Sequence, residues 1–234
     1  MTRITLTVII VAALLLTPAL AQKRGDYSDP AMTYEEGWTT LFNGKDLSGL
    51  VVVLADPADK KKPQRFFDDT AGDQKTFYVE DGLLKTTGEP LGYIRTKDIY
   101  DNYVFHAEVR FLKRGNSGIL LHIQRDAPLP NAIECQMYYD HMGRTFPLFG
   151  HSMEGGEIIH YNSNDVGEWN TLEVYSEDGR VTSVVNGAVV GMGQNADPST
   201  GHIGLQSEGA PIEFRNIKIK RFTPAARLRP SKKQ

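Results

Sequence analysis

The sequence predicts an all-β protein built as an antiparallel β-sandwich or jelly roll. Apolar and polar residues alternate with a period of two through most of the chain, and no helical pattern longer than about three turns follows the N-terminal segment. Short segments whose residues tolerate positive φ angles separate the alternating stretches, as tight hairpins require. The composition, with 40% hydrophobic and 24% charged residues, is that of a globular protein and argues against disorder.

The N-terminus has the pattern of a secretory signal. Arg3 precedes an apolar run over residues 4–16, and Ala19-Leu20-Ala21 supplies an A-x-A cleavage site. The run is too short to span a bilayer, and no other segment approaches about 18 apolar residues, so we expect an exported protein without a membrane span. The predicted organisation is a signal peptide over 1–21, an N-terminal linker over 22–36, a single β-sandwich domain over 37–222 and a basic flexible tail over 223–234.

The alternating stretches predict ten strands. They cover residues 77–79, 83–86, 103–112, 118–124, 133–139, 171–176, 181–185, 188–190, 202–207 and 212–221. Asp81-Gly82, Asp178-Gly179 and Asn186-Gly187 are predicted to form the hairpin turns between neighbouring strands. Residues 56–74 are rich in charge and contain Lys60-Lys61-Lys62-Pro63, which is typical of an exposed insertion.

Charge, cysteine content and motif spacing narrow the range of functions. The formal charge of −3 offers no basic surface, so we predict no nucleic-acid partner. Cys135 is the only cysteine, which excludes an intramolecular disulfide, and its place on a strand favours a small buried hydrophobic residue over a reactive thiol. Gly191 and Gly193 lack the spacing of a nucleotide-binding loop, and the histidines lack tight ligand spacing, so we predict neither a cofactor nor a metal.

Three successive predicted strands each have one apolar and one polar face. The polar faces carry His106, Glu108 and Arg110 on the first, His122 and Gln124 on the second, and Glu134, Gln136 and Tyr138 on the third. Sequential strands are neighbours about two-thirds of the time, and these faces would then merge into one patch. A solvent-facing side of a sheet is polar in any case. His, Gln, Tyr and Glu, however, also suit a sugar site, because hydroxyl groups both donate and accept hydrogen bonds.

A series of motifs in a fixed order resembles a known bacterial family. The motifs are LFNGKDLSG at 41–49, RGNSGILLH at 114–122, IECQ at 133–136, GEWNTLEV at 167–174, VNG at 185–187, GHIGLQSEG at 201–209 and IEFRNIKIK at 212–220. In this order they are similar to the 3-keto-disaccharide hydrolases, also described as 3-keto-glucoside 1,2-lyases/hydratases. The resemblance covers about residues 37–222, nearly the whole chain after the signal.

The resemblance implies a concanavalin A-like β-sandwich, exported to the periplasm or secreted by bacteria that degrade glycans. It also implies an oligosaccharide or glycoside substrate oxidised at C3. A ketone at C3 acidifies the C2 proton, so a base can remove this proton while the C1 substituent leaves, and hydration then completes a net hydrolysis. Such a route needs a general base and an acid for the leaving oxygen. It does not need the carboxylate pair of a conventional glycosidase.

Seven residues form the predicted site. His122 and Glu134 are the catalytic candidates, since both are titratable groups on the predicted polar face. The substrate-binding candidates are Glu108, Arg110, Asn116, Gln136 and Tyr138. We expect Asn116-Ser117-Gly118 to form a tight turn beside His122. The structural alternatives are a surface histidine at 122 and cross-strand ion pairs for the charged residues.

The sequence departs from the family pattern at three positions. Leu50 replaces a common Trp, His122 stands where many relatives have Arg, and Asp140 is displaced by one residue, which on a strand moves it to the opposite face. Three functional classes remain: an enzyme that eliminates at C2 of keto sugars, a lectin-like carbohydrate-binding module, and a retaining glycosidase. Gln136 disfavours the third, because it puts an amide in the place of a second acid. The first two classes use the same residue types.

Overall fold

The computed structural model describes residues 33–34, 37–67 and 76–223. The predicted signal peptide, most of the predicted linker and tail, and residues 68–74 of the predicted insertion lie outside these ranges. The described residues contain no helix, and therefore none of the length and apolarity that crossing a membrane requires.

Strands account for most of the described chain. They are β1 Thr33–Tyr34, β2 Thr39–Thr40, β3 Leu50–Ala55, β4 Pro63–Phe67, β5 Phe77–Glu80, β6 Leu83–Thr86, β7 Gly92–Thr96, β8 Tyr103–Phe111, β9 Asn116–Ile123, β10 Ala132–Tyr138, β11 His141–Leu148, β12 Ser152–Ile158, β13 Asn170–Glu177, β14 Arg180–Val185, β15 Ala188–Asp197, β16 His202–Ser207 and β17 Ile212–Thr223.

Two antiparallel sheets pack face to face. The ten-stranded sheet has the order β12-β15-β14-β13-β8-β17-β6-β5, with β1 and β2 also paired to β17, and the seven-stranded sheet has the order β11-β10-β9-β16-β7-β3-β4. Apolar side chains from both sheets fill one continuous core, for example Phe105 and Phe214 from the larger sheet and Ile119 and Ile133 from the smaller. The predicted all-β antiparallel sandwich is confirmed.

The three predicted hairpin turns are also confirmed. Asp81, Asp178 and Asn186 have φ angles of 54°, 45° and 49°, and the glycine after each is in the left-handed region as well. These turns connect β5 to β6, β13 to β14 and β14 to β15. Two consecutive positive φ angles match the right-handed twist of the paired strands, and Asp-Gly and Asn-Gly reach them at low cost.

All ten predicted strands are present, but the prediction omitted others, of which β3 is the most instructive. Every residue of β3 is buried. Alternate side chains enter the main core and a smaller cluster on the outer face of the seven-stranded sheet, which also contains Tyr93 and Leu120. Because both faces are covered, Leu50–Ala55 has no polar alternation to detect. The interpretation of 56–74 as an exposed insertion is wrong in part, since β4 pairs with β3 over its whole length.

Strands β8 and β9 are consecutive in the chain but lie in different sheets, so the predicted single polar patch is wrong. Strand β9 pairs with β10 and β16, whereas β8 pairs with β13 and β17. Residues 112–115 cross from one sheet to the other. Both strands turn apolar faces towards the shared core, and the polar face of β8, with Glu108 and Arg110, therefore lies on the opposite side of the sandwich from Glu134 and Gln136.

A β-bulge in β9 reverses the direction of the His122 side chain. The pairing with β16 steps from Leu120 opposite Gly204 to Ile123 opposite His202, which leaves two residues of β9 facing one residue of β16. His122 has a φ angle of 58° at this step. Its ring consequently points between the sheets, and the prediction that His122 lies on the polar face is wrong.

Candidate functional site

Glu134 lies on the outer face of the seven-stranded sheet, in the middle of β10. Its side chain leans over Gly118 of β9, and the amide of Gln206 on β16 approaches the same glycine from the other side. A Cβ atom at position 118 would lie 2.9 Å from Glu134 Oε1 and 3.0 Å from Gln206 Oε1. The absence of a side chain at Gly118 therefore allows these two groups to come together across three strands.

The Glu134 carboxyl is nearly buried and forms no hydrogen bond or ion pair with a described residue. Its residue is only 5% exposed. Burial, together with the negative charge of Glu208, raises the pKa of Glu134 to about 8. A carboxyl with such a pKa is able to hold a proton at neutral pH and to release it there, which is the property that proton-transfer catalysis requires.

Glu208 follows β16 and forms the other half of a carboxyl pair. It is half-buried, and Asn116 Nδ2 donates a hydrogen bond to Glu208 Oε2 at 2.8 Å. A backbone bridge between these two residues fixes their alignment. Burial raises the pKa of Glu208, while the hydrogen bond from Asn116 opposes this shift by stabilising the carboxylate.

Two buried polar atoms without a hydrogen-bond partner among the described residues lie next to the carboxyl pair. Asn116 Oδ1 and Gln206 Oε1 are buried and accept no hydrogen bond from a described residue. Buried polar atoms are nearly always hydrogen-bonded, and each exception calls for a reason, such as a ligand or a functional role. Here two unsatisfied oxygens lie beside two carboxyl groups with raised pKa values.

Gln136 and Tyr138 extend the same outer face along β10, as predicted from their spacing. Both are half-buried, and they lie opposite Gly118 and Asn116 of β9. The Tyr138 ring lies 5.0 Å from the Tyr139 ring and 4.9 Å from the His141 ring, measured between centroids. The predicted turn at Asn116-Ser117-Gly118 is wrong, since these residues begin β9, but Asn116 does lie at the site.

His122 is completely buried in the core. Its Nε2 lies 2.9 Å from Ser176 Oγ, and its ring meets the Tyr103 ring edge-on at 6.5 Å between centroids. Burial, with a contribution from nearby His151, lowers the pKa of His122 to about 4. The ring is neutral at physiological pH and inaccessible to a sugar, so the structure separates His122 from Glu134.

Glu108 and Arg110 lie on the outer face of the ten-stranded sheet, far from the carboxyl pair. Arg110 Nε donates to Glu213 Oε2 at 2.8 Å, and Arg215 Nε donates to Glu108 Oε2 at 2.7 Å. The two guanidinium groups also contact the Trp169 ring, at 4.6 Å and 4.0 Å from its centroid. These contacts match the cross-strand ion pairs that were the structural alternative for both residues.

Glu208 and Gln206 are the site residues that sequence reasoning missed. Both fall within the GHIGLQSEG motif at 201–209, whose place in the motif order indicates the family but not a site. Alternation along β16 would have placed Gly204, Gln206 and Glu208 on one face. The described residues contain no group of three or more His, Cys, Asp and Glu side chains arranged to hold a metal ion.

Comparison with known proteins defines the family. The sequence model of the 3-keto-alpha-glucoside-1,2-lyase-like domain matches residues 37–220. The chain belongs to this family. Membership places it among carbohydrate-active, glycosyl hydrolase-like proteins and confirms the resemblance seen in its motifs. No curated protein is significantly similar to the chain in sequence.

Solved structures share the fold. Two proteins from Parabacteroides distasonis ATCC 8503, each provisionally named a glycosyl hydrolase, superpose with TM-scores of 0.60 and 0.55. The first is 25% identical and covers 80% of this chain and 94% of its own, and the second is 22% identical and covers 78% and 98%. The carbohydrate-binding module CBM66 from Bacillus subtilis, 15% identical with a TM-score of 0.51, covers 63% of this chain and 92% of its own and has the same sandwich fold.

Proposed function

We propose that this protein cleaves 3-keto-glycosides by removing the C2 proton and releasing the substituent at C1. One observation carries the proposal: Glu134, nearly buried and without a hydrogen-bond partner among the described residues, lies beside Glu208 on a sheet face lined with amides. Membership of the 3-keto-alpha-glucoside-1,2-lyase-like family supports it. We further propose that the signal segment directs export to the periplasm or the medium of a bacterial cell.

The chemistry suits such a site. The C3 ketone of the substrate acidifies the C2 proton, so a carboxylate suffices as the base. The electrons of the C2–H bond form a double bond between C1 and C2, the C1–O bond breaks, and the leaving oxygen takes a proton. Adding water to the unsaturated ketose gives the free keto sugar. Both proton transfers are assisted by groups whose pKa lies near the working pH, as burial provides for Glu134.

Two other functions make distinct predictions. A lectin-like module would bind the sugar through the same face without chemistry. A retaining glycosidase would use the two carboxyls on unoxidised glycosides, and Glu208 supplies the second acid that the sequence of β10 lacks. The keto group is what separates the proposed route from the glycosidase route, because only the former requires an acidified C2 proton.

The test compares a methyl 3-keto-glucoside with its unoxidised parent in heavy water. We expect the purified protein to consume only the keto sugar and to incorporate deuterium at C2. Glu134→Gln should slow turnover at least about 100-fold, equivalent to about 2.7 kcal/mol of barrier. Glu173→Gln, which makes the same change on the other sheet where Glu173 pairs with His106, is the matched control and should keep full activity.

Two results would refute the proposal. Cleavage of the parent glycoside would indicate a conventional glycosidase. Saturable binding without turnover of either sugar would indicate a lectin-like module.

A further inference from the structure

The two carboxyls of the site differ in their surroundings. Asn116 Nδ2 donates to Glu208 Oε2 at 2.8 Å, whereas no described residue donates to Glu134. A donor stabilises the ionised form of a carboxyl, and two neighbouring carboxyls resist ionising together. Of the pair, Glu208 is therefore the group that carries the negative charge, and Glu134 is the group that keeps the proton.

The position of Gln206 favours the same assignment. Its Oε1 atom is buried without a donor and lies, like Glu134 Oε1, within 3.0 Å of the point where a Cβ of Gly118 would be. An ionised Glu134 would add a further acceptor to a part of the face where the Gln206 oxygen already has no donor. A protonated Glu134 supplies the O–H group that this arrangement lacks. Glu134 is also the more buried carboxyl, and burial favours the neutral form.

We infer that the two carboxyls divide the reaction: Glu208 removes the C2 proton as the general base, and Glu134 protonates the leaving oxygen as the general acid. This assignment rests on the proposed function. The C2–H electrons first form an enolate with the C3 ketone. The enolate electrons then form the C1–C2 double bond as the C1–O electrons leave on the glycosidic oxygen, and that oxygen takes the Glu134 proton. Glu208 then loses its new proton to water while Glu134 regains one, so no proton is gained or lost overall.

Two substrates that differ only in the leaving group test the assignment. Methoxide needs protonation to leave, whereas 4-nitrophenolate does not. Glu134→Gln should reduce kcat/KM at least about 100-fold on the methyl 3-keto-glucoside but less than about 10-fold on the 4-nitrophenyl 3-keto-glucoside, and the unreacted methyl substrate should still exchange deuterium at C2. Glu208→Gln should reduce turnover of both substrates at least about 100-fold and abolish the exchange.

Each remaining outcome is decisive. The reverse pattern, or full activity of Glu208→Gln, overturns the assignment and leaves the proposed function standing. If the wild-type protein processes neither keto sugar, the proposed function fails and the assignment fails with it. Circular dichroism checks the fold of each variant. Should Glu208→Gln not fold, Glu208→Asp replaces it, and comparable losses on both substrates are again expected.

Discussion

The stability advantage of Glu134→Gln over the wild type should grow as the pH rises. The side chain is only 5% exposed, and its pKa is raised from 4.5 to about 8 by burial and by the charge of Glu208. Between these two values the unfolded chain has released the proton and the folded chain has kept it. The folded state then binds more protons than the unfolded state, so the free energy of unfolding decreases with rising pH.

The size of this effect on stability follows from the pH range between the two pKa values, 4.5 and about 8. Each pH unit inside it removes up to about 1.4 kcal/mol, so the contribution of Glu134 to stability should fall by about 2–3 kcal/mol between pH 5 and pH 7. Glutamine has the same shape and no proton to lose. The advantage of Glu134→Gln over the wild type should therefore grow by this amount across the window and level off above about pH 8.

Urea unfolding of both proteins at pH 5, 6, 7 and 8 measures this difference. Glu213→Gln is the matched control, because Glu213 is equally buried and its pKa is lowered, with hydrogen bonds from Arg110 and Lys85 outweighing the effect of burial. It should destabilise the protein at neutral pH by at least about 1–2 kcal/mol. A stability difference for Glu134→Gln that does not change from pH 5 to pH 7 would refute the reasoning.

Four further predictions concern Gly118 at the site and two buried residues of the core. Gly118→Ala should displace the Glu134 carboxyl, since the new Cβ would lie 2.9 Å from Glu134 Oε1. We expect kcat/KM to drop at least about 10-fold with only a small change in Tm. Unchanged kinetics would contradict this packing. His122→Ala should lower the free energy of unfolding, measured in urea, by about 2–3 kcal/mol, because it empties a core position. The folded variant should keep nearly the same kcat/KM as the wild type. A loss of kcat/KM of about 100-fold would instead indicate that His122 is catalytic. In the wild type, the free energy of unfolding should decrease as the pH falls from about 6.5 to about 4, because the lowered pKa of His122 means that only the unfolded chain takes up that proton. If the free energy of unfolding of His122→Ala changes with pH as steeply as that of the wild type over this range, the explanation is wrong. Cys135 should react with a thiol reagent only after unfolding, since burial raises its pKa to about 12, and rapid labelling of the native protein would contradict this placement.

Local patterns predicted the strands and turns, because each depends on a few neighbouring residues. The alternation over 103–111 placed Phe105 and Val109 in the core, and the Asp-Gly and Asn-Gly pairs marked the hairpins. The same spacing rule predicted that Glu134 and Gln136 lie on one face, and the structure confirms this. Family membership followed from motif order, which needs no knowledge of the fold.

Three features of the site depend on contacts between distant parts of the chain, and the sequence pattern did not contain them. The connection over 112–115 crosses between sheets, so Glu108 and Arg110 share no surface with Glu134. The bulge at His122 breaks the alternation by one residue and turns a polar side chain inward. Glu208 comes to the site only because β16 pairs with β9, across a separation of about 90 residues, and no local pattern reports such a pairing.

The difference between the two outer faces lies in how their carboxylates are compensated. Glu213 and Glu134 are each 5% exposed and each lies on the outer face of a sheet. Lys85 and Arg110 contact Glu213, and against the opposing effect of burial their hydrogen bonds, with smaller contributions from their charges, hold its pKa below the ordinary value. Glu134 has a second carboxyl beside it, and no cationic side chain in the described part of the chain pairs with it. Its pKa therefore rises. A fully compensated carboxylate stabilises a fold but exchanges protons poorly near neutral pH, whereas an uncompensated one costs stability and exchanges them readily. The face that contains Glu134 and Glu208 is thus the one on which an uncompensated carboxyl costs stability, and this is the physical reason for placing the proposed reaction there.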